Sequence, residues 1–272
     1  MKIGNKKFDL KNETVVMGII NASPDSFSGD GLTGDIPETI KIVEKFIRAG
    51  VDIIDVGGES TRPKKIYSKV KDISVQQEID RVLPVIEKIK TSFDIPVSID
   101  TRKSAVASVA INYGADMIND VSMMKYDSNM IDLIFSSDKP YVLTHNYPIN
   151  KTQSATFQVK DNLINELNRL KKAGINQDKI ILDPGFGFKK DIKQNLEIHI
   201  NLDEICNIGP PVLIGTSRKS FLGYISGNAP IDQRLEASLA SVALAVSKGA
   251  SFVRVHDVEL VVNFLRAMKK LI

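Results

Sequence analysis

Val51-Asp-Ile-Ile-Asp-Val-Gly-Gly-Glu-Ser-Thr-Arg-Pro63 opens with an apolar run, Val51 to Val56, and turns at once into glycines, hydroxyls, a carboxylate and an arginine. That change of composition marks a buried strand delivering its loop to a polar ligand site. Outward from it, similar Val- and Ile-rich runs recur at Val15 to Ile20, Pro96 to Ile99, Met117 to Ile118, Tyr141 to Leu143, Lys179 to Leu182, Pro211 to Ile214 and Phe252 to Val255, eight in all. Between them lie segments of helical period, such as Val75, Ile79, Val82, Leu83, Ile86 and Ile89, or Leu163, Leu167, Leu170 and Ala173. Helix-stopping glycines precede several runs, as in Ala49-Gly50, Tyr113-Gly114, Ala173-Gly174 and Lys248-Gly249.

Eight strands alternating with eight helices predict a parallel sheet in an α/β protein, closed into a (β/α)8 TIM barrel. A doubly wound open sheet is the alternative. Polar loops follow nearly every strand, whereas an open sheet concentrates them at one switch point, and this favours the barrel. The 272 residues suit a fold of roughly 250, and no linker or low-complexity tract divides them, so residues 1–272 read as one barrel domain. The first segment reads as a β-hairpin around Gly4-Asn5, plugging the barrel floor.

Composition narrows the class. Hydrophobic residues at 43% and charged residues at 25% are ordinary for a globular chain, and a net charge of +3 without a basic, aromatic-laced stripe argues against nucleic acid as partner. Cys206 is the one cysteine, which excludes an internal disulfide and a thiolate metal cluster and points to a reducing cytoplasm. No run approaches the ~20 apolar residues of a membrane span, and the N-terminus has no long apolar signal core.

In a barrel the strand ends share one mouth, so Asn21, Asp55, Asp100, Asn119, His145, Asp183, Gly215 and His256 are expected to form one site. A single Asp or Asn there is often only a turn or cap residue; the set together is better explained by a ligand. Paired donors and acceptors of this kind suit the edge of a heterocycle with amino, imino and keto groups. Gly215-Thr-Ser-Arg-Lys-Ser220 and Arg254-Val-His256 stand where this fold often binds an anion. His199, inside a helix, reads as a packing or surface residue. The histidine spacing offers no metal pair. Mg2+ held by oxygens is more plausible, with Asn21 and Asp25 near it.

Taken in order, Asn21-Ala-Ser-Pro-Asp-Ser-Phe-Ser28, Asp55 to Pro63, Ser98-Ile-Asp-Thr101, Ile118-Asn-Asp-Val-Ser122, Asp183-Pro-Gly-Phe-Gly-Phe188, Gly215 to Ser220 and Arg254-Val-His-Asp257 resemble the signature of the dihydropteroate synthases. The resemblance runs from about residue 15 to the C-terminus. It implies a folate-synthesis transferase that condenses 7,8-dihydropterin-6-ylmethyl diphosphate with 4-aminobenzoate, giving 7,8-dihydropteroate and pyrophosphate with Mg2+. It further implies pterin contacts at Asp100, Asn119, Asp183 and Lys219, and diphosphate contacts at Asn21, Arg62, Arg254 and His256, with Asn21 at the metal. Aminobenzoate contacts are implied at Phe27, Thr61, Pro63, Phe188 and Ser220, and catalytic roles at Arg62, Asp183, Lys219, Arg254 and His256. A homodimer and sulfonamide targeting are also implied. Lys189, Thr144 and the order Ser28-Gly-Asp-Gly31 depart from the usual pattern. A methyltetrahydrofolate:corrinoid methyltransferase, a non-catalytic barrel and a sugar-phosphate lyase or isomerase are the rivals; the first has no evident use for Ser-Thr-Arg-Pro, the second for strand-end cations, and the third lacks its strand-end base.

Overall fold

The computed structural model describes residues 1–22, 36–60 and 72–271. Strands β1 (Lys2–Ile3) and β2 (Lys6–Lys7) pair antiparallel as the expected hairpin, with Gly4 at φ +59° in the turn. Eight parallel strands follow: β3 (Val15–Asn21), β4 (Ile53–Gly57), β5 (Val97–Asp100), β6 (Met117–Asp120), β7 (Tyr141–Thr144), β8 (Ile180–Asp183), β9 (Leu213–Ile214) and β10 (Phe252–Val255). Hydrogen-bonded neighbours run β8-β7-β6-β5-β4-β3-β10-β9, which is chain order read around a ring. A parallel bridge from Leu182 to Val212, with Leu182 N donating to Pro211 O at 2.8 Å, joins β8 to the segment entering β9. The sheet is therefore a (β/α)8 barrel. An open doubly wound sheet would reverse its strand order at a switch point, and this one does not.

Ten α-helices stand among the described residues, against eight expected: α1 (Ile36–Ala49), α2 (Val75–Ser92), α3 (Ser104–Asn112), α4 (Met130–Ser137), α5 (Ala155–Lys172), α6 (Ile192–Ile200), α7 (Leu202–Cys206), α8 (Ser220–Ile225), α9 (Leu235–Ser247) and α10 (Val258–Leu271). The surplus has a local cause in each case. Asn201, at φ −106° and ψ 29°, breaks one helical run into α6 and α7. Gly227 and Asn228 both take positive φ and separate α8 from α9. Ser74 opens α2 as a capping box with Gln77, and the apolar stripe Val82, Val85, Ile86 and Ile89 faces the sheet and is buried. The four glycines expected to stop helices, at 50, 114, 174 and 249, all have positive φ.

Two apolar clusters result. One fills the space between the helices and the outer face of the sheet. The other lies inside the barrel, where Ile3 and Phe8 of the N-terminal segment meet Val15, Met17, Ile53, Met117, Val142, Ile181, Leu213 and Phe252. The hairpin thus closes the floor, as its sequence suggested. Among the described residues no helix is long and apolar enough to cross a membrane.

Candidate active site at the barrel mouth

Side chains alternate along a strand, so each floor residue fixes which later residues share the interior face. From Met17 the same face carries Ile19 and Asn21; from Ile53 it carries Asp55 and Gly57; from Met117, Asn119; from Ile181, Asp183; from Phe252, Arg254 and His256. The mouth cavity is lined by Asn21, Asp100, Asn119, Asp183, Phe188, Gly215, Lys219, Ser220, Arg254 and His256, all expected from the sequence. Glu59, Phe186, Ser217, Arg218 and Ile231 join them. Phe27, Thr61, Arg62 and Pro63, and Asp25 with them, lie outside the described residues.

Two expected mouth residues are elsewhere. His145 falls one residue out of phase with Val142 and Thr144, so it points away from the interior, fully buried, with Nε2 3.1 Å from Asn162 Nδ2. Burial, helped by Lys190, pushes its pKa down to about 2, so it stays neutral. Asp55 does not end its strand either. It lies inside β4, also fully buried, one layer below the mouth. His199 is the packing residue expected, buried on the Phe186 ring at 5.1 Å between centroids, with Nε2 2.6 Å from Ser241 Oγ.

The centre of the site is a charge cluster. Arg254 donates from Nε to Asp55 Oδ2 and from Nη2 to Asp100 Oδ2, both at 2.6 Å. Burial works against its charge, but Asp55 and Asp100 outweigh burial and raise its pKa, so the guanidinium stays charged. Burial drives Asp100 up to about 7, with Arg254 pulling it back and Asp55 pushing it further up. Asp100 Oδ1 is buried with no hydrogen-bond partner. Asn119 Nδ2 donates to Asp55 Oδ2 at 3.2 Å.

Across the cavity, Asp183 Oδ1 accepts from Gly185 N at 2.7 Å, and burial raises the Asp183 pKa against the pull of Lys219. Burial lowers Lys219 to about 8, with Asp183 resisting. Its ammonium donates to Phe186 O and lies 4.8 Å from the Phe188 ring centroid. Lys190 completes that turn by donating to Gly185 O at 2.9 Å and to Phe188 O and His145 O at 3.2 Å. Gly185 is obligatory there: its φ is +69°, and a Cβ would lie 1.9 Å from His145 O. On the anion side, Ser217 Oγ sits 3.0 Å from His256 Nδ1, and Arg218 is tied to Asp257 with Nε to Oδ2 at 3.0 Å.

Glu59 was unassigned by sequence reasoning. Its carboxylate accepts from Arg102 Nη2 at 2.9 Å, Lys103 Nζ at 3.1 Å and Ile73 N at 3.1 Å. Burial opposes its ionisation, yet Arg102 and Ile73 hold its pKa below the usual carboxylate range. Strand parity counted from the floor was the signal that places Asp55 and excludes His145; no pattern in the sequence marks Glu59 as an ion-pair centre.

The arrangement offers a carboxylate oxygen with an open valence, an amide, a second carboxylate and an ammonium around one cleft, with a guanidinium and an imidazole toward one side. A sequence profile described as pterin binding enzyme matches residues 17–256. The chain is 44% identical over 259 residues to a dihydropteroate synthase of Clostridium beijerinckii, covering 95% of this chain and 94% of that one. A Xanthomonas albilineans dihydropteroate synthase solved with 4-aminobenzoic acid superposes with TM-score 0.89 at 34% identity, over 97% of this chain and 95% of the other. The same organism's enzyme in complex with 7,8-dihydropteroate gives 0.86 at 32% identity, with the same coverage. Fold, cavity and likeness over nearly the whole chain agree, and the chain belongs to the pterin-binding enzymes, within them to the dihydropteroate synthases.

Proposed function

We propose that the mouth of this barrel divides the dihydropteroate synthase reaction among three groups of its own residues. Asp100, Asn119, Asp183 and Lys219 read the pterin edge; Arg254, His256 and Asn21 face the diphosphate, with Arg62; Phe188 and Ser220 border the aminobenzoate, with Phe27, Thr61 and Pro63. The observation that carries this reading is the unpartnered, buried Asp100 Oδ1 on a cavity that also presents Asn119, Asp183 and Lys219. A buried acceptor left unpaired costs about 1–3 kcal/mol, which a ligand N–H would recover.

The chemistry follows from the residue types. The C–O bond to the diphosphate breaks with its electron pair leaving on oxygen, and a cationic methylene remains on the pterin. Arg254 and His256 stabilise the departing negative charge, while Asp100 in its ionised form, together with Asp183, accepts the ring N–H groups and favours the cation. The uncharged aniline nitrogen of 4-aminobenzoate attacks that carbon with its lone pair, and the nitrogen's extra proton is lost to water afterwards. Phe188 and the Gly185–Phe188 turn hold the acceptor within contact distance, so positioning supplies much of the rate.

The donor set fits Mg2+. Asn21 lines the cavity with Arg254 and His256, and its amide oxygen together with substrate phosphate oxygens and water makes a donor set of the hard kind that Mg2+ takes. Mg2+ bound there would supply positive charge against the leaving diphosphate, with Asn21 as the protein's own oxygen toward it. Exposed Ile200, Tyr224, Ile225 and Leu244 on the mutually touching α6, α8 and α9 support a homodimer, and the lone, inert Cys206, its thiol pushed up to about 11 by burial, fits a reducing cytoplasm. The deciding assay incubates the protein with the pterin diphosphate, 4-aminobenzoate and Mg2+. Dihydropteroate is expected by mass, at equal yield to pyrophosphate; pyrophosphate released without condensed product overturns the assignment.

A further inference from the structure

We propose that Asp55 is a positioning residue that holds Arg254 by its Nε while the outer nitrogen Nη2 exchanges Asp100 for the substrate's diphosphate. The inference rests on the reading of Arg254 as a diphosphate contact. Arg254 lies between two carboxylates that differ in access. Asp100 borders the cavity and keeps Oδ1 open, whereas Asp55 is fully buried, lies one layer deeper on β4 and does not reach the cavity. A ligand can therefore take Asp100 from Arg254, but not Asp55.

The fork geometry makes the difference useful. A guanidinium is planar and rigid, so fixing Nε fixes the plane in which the two outer nitrogens turn. When ring N–H groups occupy Asp100, Nη2 loses its 2.6 Å partner and becomes available to an anion at the same mouth, where His256 stands. The Nε bond to Asp55 Oδ2, also 2.6 Å, persists as the pivot. The same Oδ2 accepts from Asn119 Nδ2 at 3.2 Å, so one buried oxygen sets both the amide that meets the ring and the cation that meets the diphosphate. Asp55 touches no ligand and acts through these two side chains.

A double-mutant cycle tests it, with pyrophosphate affinity measured by calorimetry in the presence of Mg2+ and saturating pteroate, whose ring occupies Asp100, for the wild type, Asp55→Asn, Arg254→Ala and the double variant. Asp55→Asn is expected to weaken pyrophosphate by about tenfold or more, and to add nothing once Arg254 is gone. In steady state, Asp55→Asn should raise KM for the pterin diphosphate and leave KM for 4-aminobenzoate unchanged. Additive losses in the cycle, or wild-type affinity in Asp55→Asn, overturn the pivot. Arg254→Lys keeps a charge above Asp55 without the fork, so it guards against a misfolded Asp55 variant: it should lose as much pyrophosphate affinity as Arg254→Ala, and full retention overturns the pivot too. An unchanged pyrophosphate affinity in Arg254→Ala is a separate outcome, which removes the diphosphate reading itself and the pivot with it.

Discussion

Phe252 and Arg254 stand two residues apart on the same face of the same strand, and they belong to different worlds. Phe252 is fully buried in the floor against a closed apolar set that includes Ile3, Phe8 and Met17. Arg254 is held between two carboxylates, one of which has a pKa driven up to about 7. The floor stores stability, since apolar burial and close packing favour the folded chain. The layers above spend part of it: Asp55 Oδ1, just below the mouth, and Asp100 Oδ1, at the mouth, are buried without hydrogen-bond partners. Two residues, one side-chain period of the strand, separate a layer that holds the barrel together from a layer whose acceptors are left open for a ligand.

The two layers are expected to respond to truncation in different measurements. Phe252→Ala leaves a cavity in the floor and is expected to lower unfolding free energy in urea by ~3–5 kcal/mol, with substrate KM values unchanged in the folded fraction. A large KM shift at unchanged stability would erase the boundary. Lys219→Ala removes the ammonium beside Asp183 and is expected to weaken pteroate binding by roughly 10–100-fold, the equivalent of ~1–3 kcal/mol, with a small change in urea midpoint. Near-wild-type affinity would put the pterin somewhere else in the molecule.

Much of this contrast was readable from residue types. The eight apolar runs, their glycine stops and the hairpin around Gly4 describe the barrel well, because each is local and strongly patterned. The polar and charged side chains at the mouth were also recognised, since Asn119, Asp183 and Arg254 are out of place in an apolar strand. His145 misled, because choosing strand ends ignores the two-residue period that turns it outward against α5. Asp55 was expected at the mouth; that it lies below it and pairs with Arg254, 199 residues later, depends on ring closure through β3 and β10, a contact that no local pattern encodes. The break at Asn201 and the shortness of β9 were illegible for the same reason: tertiary packing sets them, and helical period continues across the first.

The smallest expected effect is on pH, and it separates the layers most finely. Asp100 has its pKa raised from 3.8 to about 7, so the stability it contributes is complete below about 4 and is lost as pH rises through 7. Its ionised form accepts the ring N–H groups, so pterin affinity should move the opposite way and climb over the same interval. Lys219, lowered from 10.5 to about 8, must keep its proton to serve as a donor, so affinity should fall again above 8. Pteroate affinity is then bell-shaped, greatest between about 7 and 8 and declining about tenfold per pH unit on either limb. Asp100→Asn should flatten the acid limb and, in the same variant, abolish the loss of stability between pH 4 and 7, whereas Phe252→Ala should shift the whole stability curve and leave the bell in place. A flat affinity profile in the wild type would mean that neither group meets the ligand in the charge state its surroundings impose. Opposed pH trends in stability and affinity, tied to one carboxylate, are what distinguishes a layer held under strain for binding from one that merely packs.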